Sequence, residues 1–290
     1  MAKIIDILSS GKPTLSFEVF PPKNESAFSG VEKAALSIAA LSPAFMSVTY
    51  GAGGGTCQYT SDIAATIQKN YNVPALAHLT CVSERNVGLP SYLEKLKALG
   101  IENVLALRGD IPDGMEALPA DAKYQHASDL VREIKKHGDF CIGGACYPEC
   151  HPEASSKDED IRHIKEKVDA GCDFLTTQMF FDNSILYNYM YRLREAGITV
   201  PVCAGIMPIT NRKQVERSMK LSGAVMPARF LSLVDRFGDN PAAMEQAGIA
   251  YATDQIIDLI ANGISHIHVY SMNKPQVAEG IRRNLSAIIE

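Results

Sequence analysis

Ser16-Phe17-Glu18-Val19-Phe20-Pro21-Pro22 sets one carboxylate among Phe, Val and Phe. A carboxyl group so flanked is poorly solvated, which favours its protonated form. A neutral carboxylic acid near pH 7 can act as a general acid. The pattern alone leaves a structural ion pair with an Arg or Lys equally open. Leu107-Arg108-Gly109-Asp110 supplies a cation, a glycine that lets backbone approach a ligand, and a second carboxylate. Its plain alternative is an Arg–Asp turn salt bridge. His78, in Ala77-His78-Leu79-Thr80, reads as well as a satisfied core histidine. His151 stands in the Pro-punctuated Tyr147-Pro148-Glu149-Cys150-His151-Pro152-Glu153 and is expected to face a cavity. Asp160, His163 and Lys167 follow at helical spacing beside the apolar stripe Ile161, Ile164 and Val168. Such a row could hold a cofactor's ribose and phosphates, or be a solvated flank. Cys146, Cys150 and His151 invite a zinc reading. There is no Cys-x-x-Cys pair, however, and Cys141 and Cys146 fall on opposite faces of one strand. The cysteines are read as structural thiols, with no metal, and Met179, Phe180 and Phe181 as core or pocket wall.

These residues need elements to bring them together. Apolar runs at Thr14–Val19, Phe45–Thr49, Ala75–Thr80, Asn103–Leu107, Cys141–Cys146, Asp173–Gln178, Val200–Ile206 and His266–Tyr270 read as strands. The first seven begin roughly 30 residues apart, the length of a strand–helix unit. Amphipathic helices between them include Tyr92–Leu99, 158–170 and 185–196, stopping at Gly100, Gly171 and Gly197. Strands alternating with helices over this length predict a (β/α)8 TIM barrel with extra helices, Pro227–Phe237 and Pro241–Asn262, before the eighth strand. A doubly wound sheet is the runner-up, but no Gly-x-Gly-x-x-Gly follows an early strand. In a barrel, chemistry gathers at the C-terminal ends of the strands. There the sequence offers Glu18, Thr49 and Tyr50, His78 and Thr80, Arg108 and Asp110, Tyr147 and His151, Gln178, and Tyr270 and Asn273.

Composition closes off other classes. The chain has 290 residues, 46% hydrophobic, with a net charge of -5, which excludes intrinsic disorder. With 28 basic against 33 acidic residues there is no basic field for nucleic acid. No run of about 18 apolar residues predicts a membrane span. The start Met1-Ala2-Lys3-Ile4-Ile5-Asp6 meets an acid before any signal-peptide core can form. A cytoplasmic location and free thiols among the seven cysteines are therefore expected.

Motifs along nearly the whole chain carry a resemblance. They are Phe17-Glu18-Val19-Phe20-Pro21-Pro22, Ser47-Val48-Thr49-Tyr50-Gly51-Ala52, His78-Leu79-Thr80-Cys81, Leu107-Arg108-Gly109-Asp110 and Ala127-Ser128-Asp129-Leu130. Tyr147-Pro148-Glu149, His151-Pro152-Glu153-Ala154, Lys167-Val168-Asp169-Ala170-Gly171, Thr177-Gln178, Gly205-Ile206-Met207-Pro208 and Tyr270-Ser271-Met272-Asn273 continue it in order. The sequence resembles bacterial methylenetetrahydrofolate reductase, a flavin-dependent (β/α)8 barrel, in its short form without a C-terminal regulatory domain. The resemblance implies one flavin-binding catalytic domain over 1–290. It implies reduction of 5,10-methylenetetrahydrofolate to 5-methyltetrahydrofolate, with hydride passing from NAD(P)H or another donor through bound flavin. It assigns Glu18 as the general acid that protonates the folate nitrogen as the ring opens, and Asp110 as the carboxylate beside flavin and pterin. Thr49, Tyr50, Ala52, His78, Arg108, Gly109, Asp110, His126, Ala127, Tyr147, His151, Ala154, Asp160, His163 and Lys167 fall at flavin-lining positions. Gln178, Gln214, Tyr270 and Lys274 fall on the folate side.

Three departures stand out. Ser218 replaces a stacking Phe, leaving Phe180 or Phe230 to stack. Lys274 replaces an Arg. Glu166 replaces a basic residue near the FAD pyrophosphate, which leaves FMN open beside FAD. The resemblance also implies a homo-oligomer and admits an electron-transfer partner protein. The rival readings are a flavin-free barrel lyase, a zinc methyltransferase using Cys146, Cys150 and His151, and a non-catalytic folate- or flavin-binding subunit.

Overall fold

Eight strands close on themselves in sequence order, each parallel to its neighbours. In this computed structural model they are β1 Thr14–Val19, β2 Met46–Val48, β3 Ala75–Thr80, β4 Asn103–Leu107, β5 Cys141–Cys146, β6 Phe174–Thr177, β7 Val202–Ile206 and β8 His266–Tyr270. The structure describes residues 2–22, 24–50, 57–81, 88–111, 118 and 122–289. The described helices are α1 Ile4–Leu8, α2 Phe28–Ala39, α3 Cys57–Tyr71, α4 Leu89–Ala98, α5 Ala127–Lys136, α6 Lys157–Asp169, α7 Asn183–Glu195, α8 Arg212–Ser222, α9 Ala228–Phe237, α10 Pro241–Ala261 and α11 Pro275–Asn284. This is the TIM-barrel architecture that the strand–helix rhythm predicts.

The strands bury both faces, as parallel strands in a barrel must. Outward residues such as Leu15, Phe17, Val19, Met46 and Val48 join the large core between barrel and helices. Inward residues divide by height. At the strand starts Phe45, Leu76, Leu105, Cys141, Phe174 and Cys203 form an apolar plug with Ile4 and Leu8 of α1. The Ile4 amide donates to Asn103 Oδ1 at 2.8 Å, which fixes α1 there. Further along, the inward positions turn polar: Ser16 and Glu18 on β1, Ser47 on β2, His78 on β3, and His268 and Tyr270 on β8. Apolar floor and polar mouth are therefore written into alternate residues of the same strands.

Strands β2, β6 and β7 are each two residues shorter than their apolar runs. Before β6, Asp173 donates its amide to Ile142 O at 2.7 Å, and its carboxylate accepts from the Ile142 amide at 2.7 Å. At β7 Pro201 has no N–H to offer. The insertion before β8 holds α9 and α10, as expected, and α8, which the sequence reading does not single out. Asn211 caps α8 by accepting from the Gln214 amide. Met179, Phe181, Ile209, Val215, Met226, Phe230, Val234 and Met244 form a second apolar cluster under this insertion.

Candidate functional site

Glu18 lies near the end of β1, paired in register with Ser47 on β2 and Tyr270 on β8. Its Oε2 accepts from Ser47 Oγ at 3.0 Å. His78 Nε2 is 3.4 Å from the same oxygen and His268 Nε2 is 3.6 Å away. His268 Nε2 also meets Ser47 Oγ at 3.1 Å, and its Nδ1 meets Ser16 Oγ at 2.8 Å. Phe45 stacks on the His268 ring, centroids 5.7 Å apart.

The electrostatics correct one expectation. Burial does push the Glu18 carboxyl up, as the apolar flanks suggest, but the His268 hydrogen bond, the nearby imidazoles and Ser47 outweigh it. The net direction is below the ordinary carboxylate value, so the ionised form is favoured. No Arg or Lys pairs with Glu18 in the described cluster; its companions are imidazoles and a hydroxyl. His78, buried, is pushed down to about 4 and is neutral near pH 7. Its Nε2 is buried with no hydrogen-bond partner.

The β2–β5 side gathers most of the expected flavin-lining residues. Thr49 continues β1–β2 pairing by donating its amide to Val19 O, and its own carbonyl accepts from Thr60 Oγ1. The Tyr50 ring meets Tyr92 edge-on at 6.1 Å. Ala52 lies outside the described residues. Gly109 adopts φ +85°, and a Cβ there would come 2.9 Å from Thr80 Cβ. Only glycine lets the turn after β4 lie against β3. Arg108 pairs both guanidinium nitrogens with the Glu153 carboxylate, with Nη2 to Oε1 at 2.7 Å. Asp110 is not its ion-pair partner; it is exposed. Asp110 nonetheless bears electrostatically on Arg108 and on half-buried Tyr147. Tyr147 meets His151 edge-on at 4.6 Å. His126, exposed at the start of α5, holds its amide on Asp129 Oδ2 at 3.0 Å, and its carbonyl accepts from Cys81 Sγ at the end of β3. Ala127 is the first residue of that helix.

On α6, Asp160 is buried and accepts from the His151 amide at 3.3 Å. The Ala154 amide donates to the His151 carbonyl in the same loop. Lys167 reaches inward to donate to Ala145 O at 2.6 Å, and burial pulls its pKa down. His163 is exposed, so the row splits into a buried end and a solvated middle.

The β6–β8 side gathers the folate-side candidates. Tyr270 Oη donates to Thr177 O at 2.6 Å, next to half-buried Gln178. Lys274 Nζ donates to Thr210 Oγ1 at 2.6 Å, and Thr210 in turn donates to Gln214 Oε1 at 3.1 Å. Gln214 is thus held beside Lys274, with its carbonyl engaged by the turn into α8. Phe230 is not free to stack: it lies between Phe181 and Tyr251, 1% exposed. Phe180 is wholly buried. The ring that does stand open is Phe20, 39% exposed directly after β1. Asn273 clamps its backbone, accepting from the Phe20 amide at 3.0 Å and donating to its carbonyl at 2.9 Å. Fully buried Cys146 has its thiol pushed up to about 12 by burial. Among the described residues no group of three or more His, Cys, Asp or Glu is arranged to hold a metal.

Sequence reading missed His268, Ser16 and Ser47 as site residues. The signal was present: His266-Ile267-His268-Val269-Tyr270 alternates polar with apolar in a strand that should be apolar on both faces.

A closed parallel barrel, with an acid and two imidazoles meeting near the C-terminal ends of its strands, defines the class: a (β/α)8-barrel protein. The chain belongs to the methylenetetrahydrofolate reductase family, whose model matches residues 3–286. It is 36% identical to methylenetetrahydrofolate reductase (NADH) 1 of Zea mays, over 99% of this chain and 51% of that protein. It is 33% identical to 5,10-methylenetetrahydrofolate reductase of Escherichia coli strain K12, over 95% of this chain and 91% of that protein. The chain therefore spans about half the length of the plant relatives and most of the bacterial one. In fold it matches an uncharacterized protein from Clostridium thermocellum that binds two copies of 5-methyl-5,6,7,8-tetrahydrofolic acid, with TM-score 0.67 at 16% identity, covering 99% of this chain and 100% of that one.

Proposed function

We propose that residues 1–290 act as one catalytic unit that reduces 5,10-methylenetetrahydrofolate to 5-methyltetrahydrofolate with bound flavin. The observation that carries this reading is Glu18 at the mouth of the barrel, in contact with Ser47, His78 and His268, in a chain of this family. The residues present suit a flavin. Buried His78 Nε2 lacks a partner, Gly109 offers close backbone, and Arg108 and Lys167 offer positive charge for phosphate. FAD is the expected form, with FMN the alternative. When bound, the flavin supplies the hydride transfer between donor and folate.

The chain's own residues supply the rest. Glu18 delivers a proton to the folate nitrogen whose bond to the methylene carbon breaks. Asp110, an exposed carboxylate, stabilises the resulting iminium cation. Gln178, Gln214 and Tyr270 orient the pterin, and Lys274 meets the acidic tail. The donor is NAD(P)H or a partner electron-transfer protein. The protein works in the cytoplasm as a homo-oligomer; no described helix is long and apolar enough to cross a membrane.

The test is a half-reaction assay on Glu18→Gln. Purified protein is expected to be yellow. The variant's folate half-reaction should slow by ~10²-fold or more, the usual worth of a general acid, with a far smaller change in reduction by the donor. Folate turnover near the wild-type rate would remove Glu18 from the acid role.

A further inference from the structure

The product decides which bond breaks. In 5,10-methylenetetrahydrofolate the methylene carbon bridges two nitrogens, and a methyl group left on the pterin nitrogen means that the other bond is cut. That other nitrogen is the aniline nitrogen of the aminobenzoyl ring. On the function proposed above, on which this inference rests, Glu18 gives its proton to that nitrogen. The aminobenzoyl ring is attached to the same atom, so it must lie close to Glu18 and be held there while the proton arrives.

Two residues beyond Glu18, Phe20 meets that need. It is 39% exposed. It precedes Pro21, which restricts it to extended backbone. Asn273 holds it in that course like a strand partner. Its Oδ1 accepts from the Phe20 amide at 3.0 Å, and its Nδ2 donates to Phe20 O at 2.9 Å. A backbone N–H only donates and a carbonyl only accepts, so these partners fix which way the Asn273 amide faces. Ser271 closes the same seam one step earlier, its Oγ donating to Glu18 O at 2.5 Å. Extended backbone puts alternate side chains on one face, so Phe20 and Glu18 point the same way, roughly 7 Å apart along the chain. To bring the amide back onto Phe20, Met272 and Asn273 both take φ +54°, a region that non-glycine residues seldom adopt. Other rings near the strand ends are engaged. Tyr50 meets Tyr92, Tyr147 meets His151, and the Tyr270 hydroxyl donates to Thr177 O.

We propose that Phe20 is the aromatic face on which the aminobenzoyl ring of the folate packs, with Asn273 as the residue that positions it. Such rings pack offset or edge-on. The contact bears on the proton step as well as on binding. An aniline nitrogen whose lone pair is shared with its ring is a weak base, and a ring gripped by Phe20 keeps a fixed turn about the bond to that nitrogen. The contact also sets the ligand class: a reduced pterin that carries an aryl amine, in preference to the pterin alone.

The test compares two ligands on the whole protein with its bound cofactor. One is 5-methyltetrahydrofolate; the other is 6-methyltetrahydropterin, which lacks the aminobenzoyl group. By calorimetry, Phe20→Ala should raise the folate Kd ~10-fold and leave the pterin Kd nearly unchanged. Phe20→Tyr, which keeps the ring, should bind folate like wild type, and Phe20→Leu should recover only part of the loss. Isotope-filtered NMR of the folate complex should show contacts between the benzoyl protons and the Phe20 ring. Asn273→Ala should weaken those contacts and the folate affinity together, again with little effect on the pterin. Equal weakening for both ligands in Phe20→Ala would make the residue structural and overturn the proposal. So would an unchanged folate affinity, or an absence of benzoyl–Phe20 contacts, even in a protein that reduces folate. These readings need no turnover: folate seated on Phe20 in a protein that reduces none would overturn the function and leave the contact standing.

Discussion

Gly109 and Arg108 show how single residues set the anion side of the mouth. Gly109 sits at φ +85° with the place of a Cβ 2.9 Å from Thr80 Cβ. Gly109→Ala meets both a left-handed backbone and a packed side chain, each costing about 1–3 kcal/mol. The expected outcome is a fall in urea-unfolding stability of about 2 kcal/mol and weaker flavin binding by fluorescence titration. Arg108 presents a different balance. Its guanidinium is held by Glu153, whose carboxyl the Arg108 hydrogen bond keeps below the usual range. A phosphate approaching Arg108 must compete with that anion. Glu153→Gln removes the competing charge and should tighten flavin binding several-fold, with the larger gain at low salt, where screening is weakest. An affinity unchanged at every ionic strength would show that Arg108 does not meet the phosphate.

At the scale of elements, β6, β7 and β8 are locked around Gly205. Its amide donates to Thr177 Oγ1 at 2.8 Å, and a Cβ there would lie 2.3 Å from Thr177 O and 2.7 Å from Tyr270 Oη. Gly205→Ala must therefore displace Tyr270 from its bond to Thr177 O. Expected are a thermal midpoint lowered by several degrees, the scale of a 1–2 kcal/mol loss, and weaker folate binding by calorimetry. The strands themselves were legible because a parallel strand buried on both faces writes a continuous apolar run, and five of the eight runs match their strands end to end. Glu18, Arg108, Tyr147, Gln178 and Tyr270, which the rule that barrel chemistry sits at strand ends picks out, do stand at or just past the ends of their strands. What sequence could not give was depth. Ser47 lies level with Glu18 and His268 one inward position below it, and only closure of β1, β2 and β8 into a ring brings them to Glu18. The same closure reversed the expected direction for Glu18, since local apolar flanks say nothing of imidazoles arriving from other strands. Phe230 failed as a stacking ring for a related reason: the partners that bury it, Phe181 and Tyr251, come from distant segments.

For the whole molecule, enclosing imidazoles in the barrel makes folding stability depend on pH. His78 falls from 6.5 to about 4 on folding, chiefly through burial. Between those values the unfolded chain binds a proton that the folded one refuses. Stability from His78 is therefore complete above pH 6.5 and lost as pH falls towards about 4. His151 and His266, also lowered by burial, act in the same sense, and Glu18, held below its ordinary value, adds a further loss at lower pH. Asp160 works against them: burial raises it, so its folded form gains a proton first on acidification. Urea unfolding should thus show stability falling from pH 7 to pH 4.5, with His78 alone contributing roughly 2 kcal/mol of the loss. His78→Gln keeps a polar side chain of similar reach but cannot take up a proton. Its stability at pH 7 should be lower than wild type, and its decline to pH 4.5 shallower by that same amount. An equal decline in both proteins would mean that His78 carries its proton in the folded barrel, and that the buried Nε2 facing Glu18 is a charged partner of the acid.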